Sequence, residues 1–165
     1  MSDIVFNNLI LNGLIYKKID VHSDGTPWRP IVHVNDLCEA IEICLRISPE
    51  VISGESFNIG VTGGNFTVKQ LATVAQSALN GVPIKFNTEN ISDPRSYKVS
   101  FSKAEKLLNF QAKTLLESGG SELISQSRTL IEQGLDLLGR KTNRLAQIKF
   151  LIKEGSLDEN LRFKY

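Results

Sequence analysis

Residues 23–37 constrain the fold of this chain most, because they set a turn, a short strand and a helix start end to end. Ser23-Asp24-Gly25-Thr26-Pro27 is a loop by its turn chemistry: short polar side chains bond their own backbone, and Gly and Pro supply the special dihedrals. Pro30 to Val34 reads as a strand that opens on its proline, which suits a strand start or edge because proline cannot donate to a ladder. Asp36 then begins a helix, where its carboxylate can accept from free backbone N–H groups, and Glu39 stands in a capping-box relation to it. Leu37, Ala40, Ile41, Cys44, Leu45 and Ile47 make the stripe expected to be buried, and Ser48-Pro49 ends the helix.

The flanking segments alternate between the two periodicities. Ile4 to Tyr16 has apolar residues at helical spacing, with Gly13 as a weak point. Ile19 to His22, Ser56 to Ile59, Pro83 to Phe86 and Tyr97 to Phe101 read as short strands. Thr67 with Gln70 forms a capping box for a helix faced by Leu71, Val74, Ala75 and Leu79, with Gly81 as its stop. Ser102 with Glu105 caps a short helix, and Thr114 with Glu117 caps another that runs, with a break at Gly119-Gly120, to about Leu138. Asn143 caps a last helix that ends at Gly155. The strands and helices do not alternate in a parallel-sheet rhythm. The expectation is an irregular α+β fold, with small strands, several helices and a helix-rich C-terminal part.

Composition narrows the function classes. The chain has 165 residues, enough for one domain with a core, and a 41% hydrophobic fraction. Lys and Arg number 19 against 18 Asp and Glu, so no broad field draws nucleic acid or an anionic membrane. No apolar run approaches the ~20 residues needed to span a bilayer. Met1-Ser2-Asp3 does not read as a secretion signal. Cys38 and Cys44 lie too far round one helix to bridge, and are expected as buried thiols in a reducing cytoplasm. Two His and two Cys give no zinc spacing.

Four features could carry chemistry. Arg29 offers a planar fork of donors matched to phosphate oxygens, beside a Gly/Pro loop. The alternative is a surface arginine stacked on Trp28. Asp93-Pro94-Arg95-Ser96-Tyr97 is a turn leading to a strand, in which Arg95 could pair with a second phosphate and Tyr97 could stack or hydrogen-bond. The alternative is that Asp93 and Arg95 satisfy the turn and each other. His33 is expected to be packed rather than reactive, since no nucleophile with a flanking base accompanies it. Gly60-Val61-Thr62-Gly63-Gly64 lacks both the Gly-Lys-Ser/Thr ending of a P-loop and the Gly-x-Gly-x-x-Gly spacing of a dinucleotide turn.

Taken in order, several segments resemble the substrate-binding part of the extended short-chain dehydrogenases, the NAD-dependent epimerase/dehydratase family acting on nucleotide sugars. Asn7-Asn8-Leu9 resembles the family's asparagine-rich helix start. Asp24-Gly25 through Leu37 resembles its "DG…R…HV.D" block. Ser56-Phe57-Asn58-Ile59-Gly60 resembles its "FN.G" strand, and Thr67-Val68 with Leu71 the helix entry that follows. Asp93 to Ser100 is similar to its late "D.R.Y.V" segment, and Asn109-Phe110 with Thr114-Leu115 and Glu122-Leu123 to its tail. Asn109 stands where the family usually has Gly, and Gln111-Ala112 replace the Pro region. The resemblance covers about residues 4–125 of a single substrate-binding domain spanning 1–165, with 126–165 as a helical extension.

The resemblance implies roles. Asn8 and Leu9 would touch the nucleotide-diphosphate part of a nucleotide sugar, Arg29 and Arg95 would clamp the diphosphate, and Tyr97 would complete the site. Asp36, His33 and Asn58 would be structural. The intact family enzyme holds NAD(P) on a Rossmann domain and transfers protons with a Tyr-x-x-x-Lys pair. Neither can be placed here, since Tyr16-Lys17-Lys18 has the wrong spacing. No catalytic, cofactor-binding or metal residue is therefore assigned, and no cofactor is expected for this chain alone. Met1 falls almost where the second half of such an enzyme begins. The chain reads as a truncated product, one half of a split enzyme or an isolated domain, needing a separate Rossmann-domain polypeptide. A second reading is a non-enzymatic partner-binding or oligomerising module derived from that family. Neither nucleic acid nor membrane is expected as a partner.

Overall fold

The computed structural model describes residues 4–87 and 95–164. The elements are α1 (Val5–Tyr16), β1 (Ile19–Val21), β2 (Trp28–Pro30), α2 (Val34–Arg46), α3 (Pro49–Ile52), β3 (Asn65–Thr67), α4 (Val68–Ala78), β4 (Ile84–Phe86), α5 (Ser102–Leu107), α6 (Leu116–Glu132) and α7 (Arg144–Lys153). Short strands scattered among helices bear out the expected α+β class.

Two small sheets organise the chain. β1 and β4 pair in parallel, with Ile19 opposite Ile84 and Val21 opposite Phe86. β2 and β3 pair antiparallel, with Arg29 opposite Phe66. A two-stranded ribbon is marginal by itself, so each sheet depends on the helices packed against it. The main core joins α1, β1, α4 and α6 through Ile10, Ile19, Leu71, Ala75 and Ile124. A second cluster joins α2 to α5 and the stretch after it through Ala40, Ala104, Leu108 and Phe110.

Local chemistry explains several boundaries. Thr67 Oγ1 accepts from Gln70 N (3.2 Å) while Gln70 Oε1 accepts from Thr67 N (2.8 Å), the reciprocal capping box that starts α4. Gly81 follows that helix at φ +84°. Asn143 Oδ1 accepts from Ala146 N (3.0 Å) and starts α7. In the first loop, Asp24 Oδ1 accepts from Thr26 N (2.9 Å), and Gly25 takes φ +85°.

Other expectations are corrected. The strand expected over Pro30–Val34 instead begins two residues earlier, at Trp28, and ends at Pro30, where the pairing with β3 ends. Ser56–Ile59 and Tyr97–Phe101 are not strands. Asp36 is not the helix cap: α2 begins at Val34 and its cap is His33, whose Nδ1 accepts from Asn35 N (3.3 Å). Ser102 and Thr114 do not cap α5 and α6, which follow Phe101 and Leu115 without side-chain caps. Gly119-Gly120 does not break α6. A Cβ on Gly120 would come within 3.2 Å of Phe6 Cζ, so that glycine admits a close approach to α1. Of the stripe expected to be buried on α2, only Ala40 is; Leu37, Ile41 and Leu45 are exposed, Leu45 by 82%. Cys38 is exposed and Cys44 half-buried, both as free thiols.

Candidate functional site

β2 and the segment 95–100 bring Arg29, Arg95 and Tyr97 together. Arg29 Nη1 donates to the carbonyls of Trp28 (2.8 Å) and Arg95 (2.5 Å). Its guanidinium lies 5.5 Å from the centre of the Tyr97 ring. Arg29 therefore stacks on Tyr97, and Trp28 is covered instead by Lys98, whose Nζ is 3.5 Å from the ring centre. The other half of the Asp93–Tyr97 expectation, Asp93-Pro94, lies outside the described residues.

The 95–100 segment is not a strand, yet side chains hold it beside β2 and β3. Trp28 N donates to Ser96 Oγ (3.1 Å), and Tyr97 N donates to the Trp28 carbonyl (3.4 Å). Asn65 acts as a one-residue ladder: Val99 N donates to its Oδ1 (2.9 Å) and its Nδ2 donates to the Val99 carbonyl (3.0 Å). Asn58 Nδ2 donates to the Ser100 carbonyl (3.3 Å), a structural contact. Asn65, Ser96 and Lys98 carry no motif that sequence reasoning could have read. Their partners lie 34–70 positions away along the chain.

Asn8 and Leu9 sit on a different element. Asn8, half-buried on α1, accepts from Asn12 Nδ2 at both its carbonyl and its Oδ1 (2.8 Å each). The Leu9 side chain is buried in the main core. Between α1 and the end of β2 lies an open cavity of about 500 Å³, with Asn7 and Pro30 on its wall. Its lining is mainly apolar, with His33 and Glu122 at a polar edge. There His33 Nε2 lies 3.3 Å from Glu122 Oε2.

Asp36 supports this wall from beneath. It is buried, and its two oxygens accept from Lys113 N and Thr114 N (3.0 Å each), tying α2 to the approach of α6. Burial works against its charged form, but the N–H groups of Lys113 and Thr114, with the Thr114 hydroxyl and His33, outweigh it. The carboxyl's pKa is held below its ordinary value.

The Gly60–Gly64 loop does not fit a dinucleotide. Gly64 N donates to the Val61 carbonyl (2.7 Å) inside a closed turn, and the loop leads into β3 rather than directly into a helix. No cluster of His, Cys, Asp and Glu among the described residues could hold a metal ion. Among the described residues no helix is long and apolar enough to cross a membrane.

Comparison with known proteins agrees with this architecture. Residues 2–60 match the NAD dependent epimerase/dehydratase family. The chain is 29% identical over 128 residues to UDP-glucuronic acid decarboxylase 1 of Arabidopsis thaliana, covering 77% of this chain and 28% of that protein. It is 36% identical over 93 residues to UDP-glucose 4-epimerase of Mycoplasma pneumoniae, covering 53% of this chain and 27% of that one. In fold it is similar to a UDP-glucuronic acid 4-epimerase from Bacillus cereus solved with UDP-glucuronic acid and NAD. That match has a TM-score of 0.64 and 22% identity over 76% of this chain and 41% of that one. Residues 2–60 are thus similar to part of the NAD-dependent epimerase/dehydratase family, and the chain spans well under half the length of these relatives.

Proposed function

We propose that this chain is the nucleotide-sugar-binding part of a sugar epimerase or dehydratase, and that it does not catalyse the reaction on its own. Arg29 and Arg95 clamp the diphosphate, Tyr97 stacks or hydrogen-bonds beside them, and Asn8 and Leu9, in the first half of α1, touch the nucleotide-diphosphate part through side chain or backbone. The carrying observation is the 2.5 Å bond from Arg29 to the Arg95 carbonyl, which sets two guanidinium-bearing residues side by side. Two fixed positive charges match a diphosphate, and arginine keeps its charge at any working pH. Hydride transfer requires NAD(P), which a Rossmann domain would hold. Residues 1–165 act as one domain, with 126–165 as its helical extension. The free thiols fit a reducing cytoplasm.

A second reading rests on a different observation. Val34, Leu37, Ile41 and Leu45 present an exposed apolar face on α2. Faces of this kind drive association, so the chain would be a partner-binding or self-associating module.

A thermal-shift titration with UDP-, dTDP-, GDP- and CDP-sugars, with NAD and NADP alongside, tests the first reading. A ligand bound only by the folded state raises the melting temperature. One class of sugar nucleotide is expected to stabilise the chain, and NAD is not. Arg29→Ala and Arg95→Ala should each weaken that binding by about 1.5–3 kcal/mol, roughly ten- to a hundredfold in Kd. Unchanged binding in both variants would remove the clamp.

A further inference from the structure

We propose that Lys98 and Trp28 are positioning residues for the arginine clamp: their cation–π stack latches residues 95–100 to β2 and so fixes where Arg95 stands relative to Arg29. The inference rests on the clamp reading and adds residues to it. Trp28 and Arg29 are consecutive on a strand, so their side chains leave on opposite faces. Tyr97 and Lys98 are consecutive too, and each pairs with one of them: Arg29 with Tyr97 and Lys98 with Trp28. The segment is thereby gripped from both faces of β2. One face carries the clamp. The other carries the stack of Lys98 on Trp28.

The segment needs such a fastener because no strand ladder holds it. Its ties to β2 and β3 include the bond from Arg29 to the Arg95 carbonyl and the Ser96, Tyr97 and Val99 hydrogen bonds, and residues 95–98 are exposed. An exposed hydrogen bond exchanges readily with water. An ammonium over an indole face, the most favourable aromatic partner, adds attraction that water does not replace in kind. Arg29 bonds the Arg95 carbonyl directly, so a shift of this segment passes straight to the guanidinium.

The test uses the full chain as wild type, Lys98→Met and Lys98→Arg. Trp28 is the only tryptophan, so indole emission reports the stack without interference from another indole. Hydrogen exchange at the Tyr97 and Val99 amides reports the latch, and titration with UDP reports the clamp. In Lys98→Met, exchange at both amides should rise about two- to fivefold, indole emission should shift, and UDP affinity should fall by a similar factor at an unchanged melting temperature. Lys98→Arg should restore all three. Unchanged exchange in Lys98→Met overturns the latch. Faster exchange with unchanged UDP affinity overturns its positioning role. If wild type gives no response to UDP, the clamp reading fails by itself; exchange then decides the latch, with rescue by Lys98→Arg supporting it and no change in Lys98→Met overturning it.

Discussion

Asp36 holds two backbone donors that have no other place to go. Asp36→Ala should cost about 1.5–3 kcal/mol, because Lys113 N and Thr114 N would be left unpaired. Chemical denaturation of the two proteins at pH 7 measures it. Because the folded pKa is depressed, this stabilisation is complete above the unfolded value of about 3.9 and is lost as pH falls through the folded one. The gap between wild type and Asp36→Ala should therefore close below about pH 4, which an acid titration of stability reads directly. Gly60 makes a second single-residue prediction. A Cβ there would lie 2.4 Å from Phe101 Cε1, against a buried ring. Gly60→Ala should lower stability by about 1–3 kcal/mol through overpacking. Residue type and turn chemistry single out Arg29, Arg95 and Tyr97 in the sequence, and the fold brings them together. The duty of Asp36 is not legible there, since a carboxylate at a helix start looks the same whether it bonds its own helix or a chain segment 77 positions away.

At the scale of elements, local signals served where local chemistry decides. The Thr67–Gln70 box is reciprocal in the fold, and Thr67→Ala should cost about 1 kcal/mol in thermal melts. The strand pattern misled at Ser56–Ile59 and Tyr97–Phe101, where no neighbouring strand offers a ladder and side-chain amides bond the backbone instead. Alternating residues prescribe an extended chain, but only a partner turns it into a strand. The α2 stripe misled in the opposite sense. Its periodicity predicts a helix correctly, yet the exposed arc around Ile41 lies across the helix from the buried arc around Ala40. Periodicity identifies an apolar face without saying what covers it.

At the scale of the whole molecule, that uncovered arc is the property most open to measurement. The apolar face of α2 runs into the cavity, since Val34 and Leu37 line both. Concentration-dependent association in sedimentation, weakened in Leu45→Glu, is the expected behaviour of the isolated chain. Leu45 is 82% exposed, so the same substitution should leave the melting temperature nearly unchanged. A strictly monomeric profile at every concentration would count against the partner-binding reading.

The parallel pairing of β1 with β4 carries one more consequence. Ile19 meets Ile84, 65 positions along the chain, and Asp36 meets Lys113 across a still longer span. Neither contact can form until most of the chain between its ends has been drawn in, so each loses chain freedom before it returns any stabilisation. Helices α1, α4 and α6 can form early from local bonds. Refolding should therefore proceed in milliseconds to seconds rather than microseconds, with helical signal appearing ahead of the closure that aligns β1 with β4.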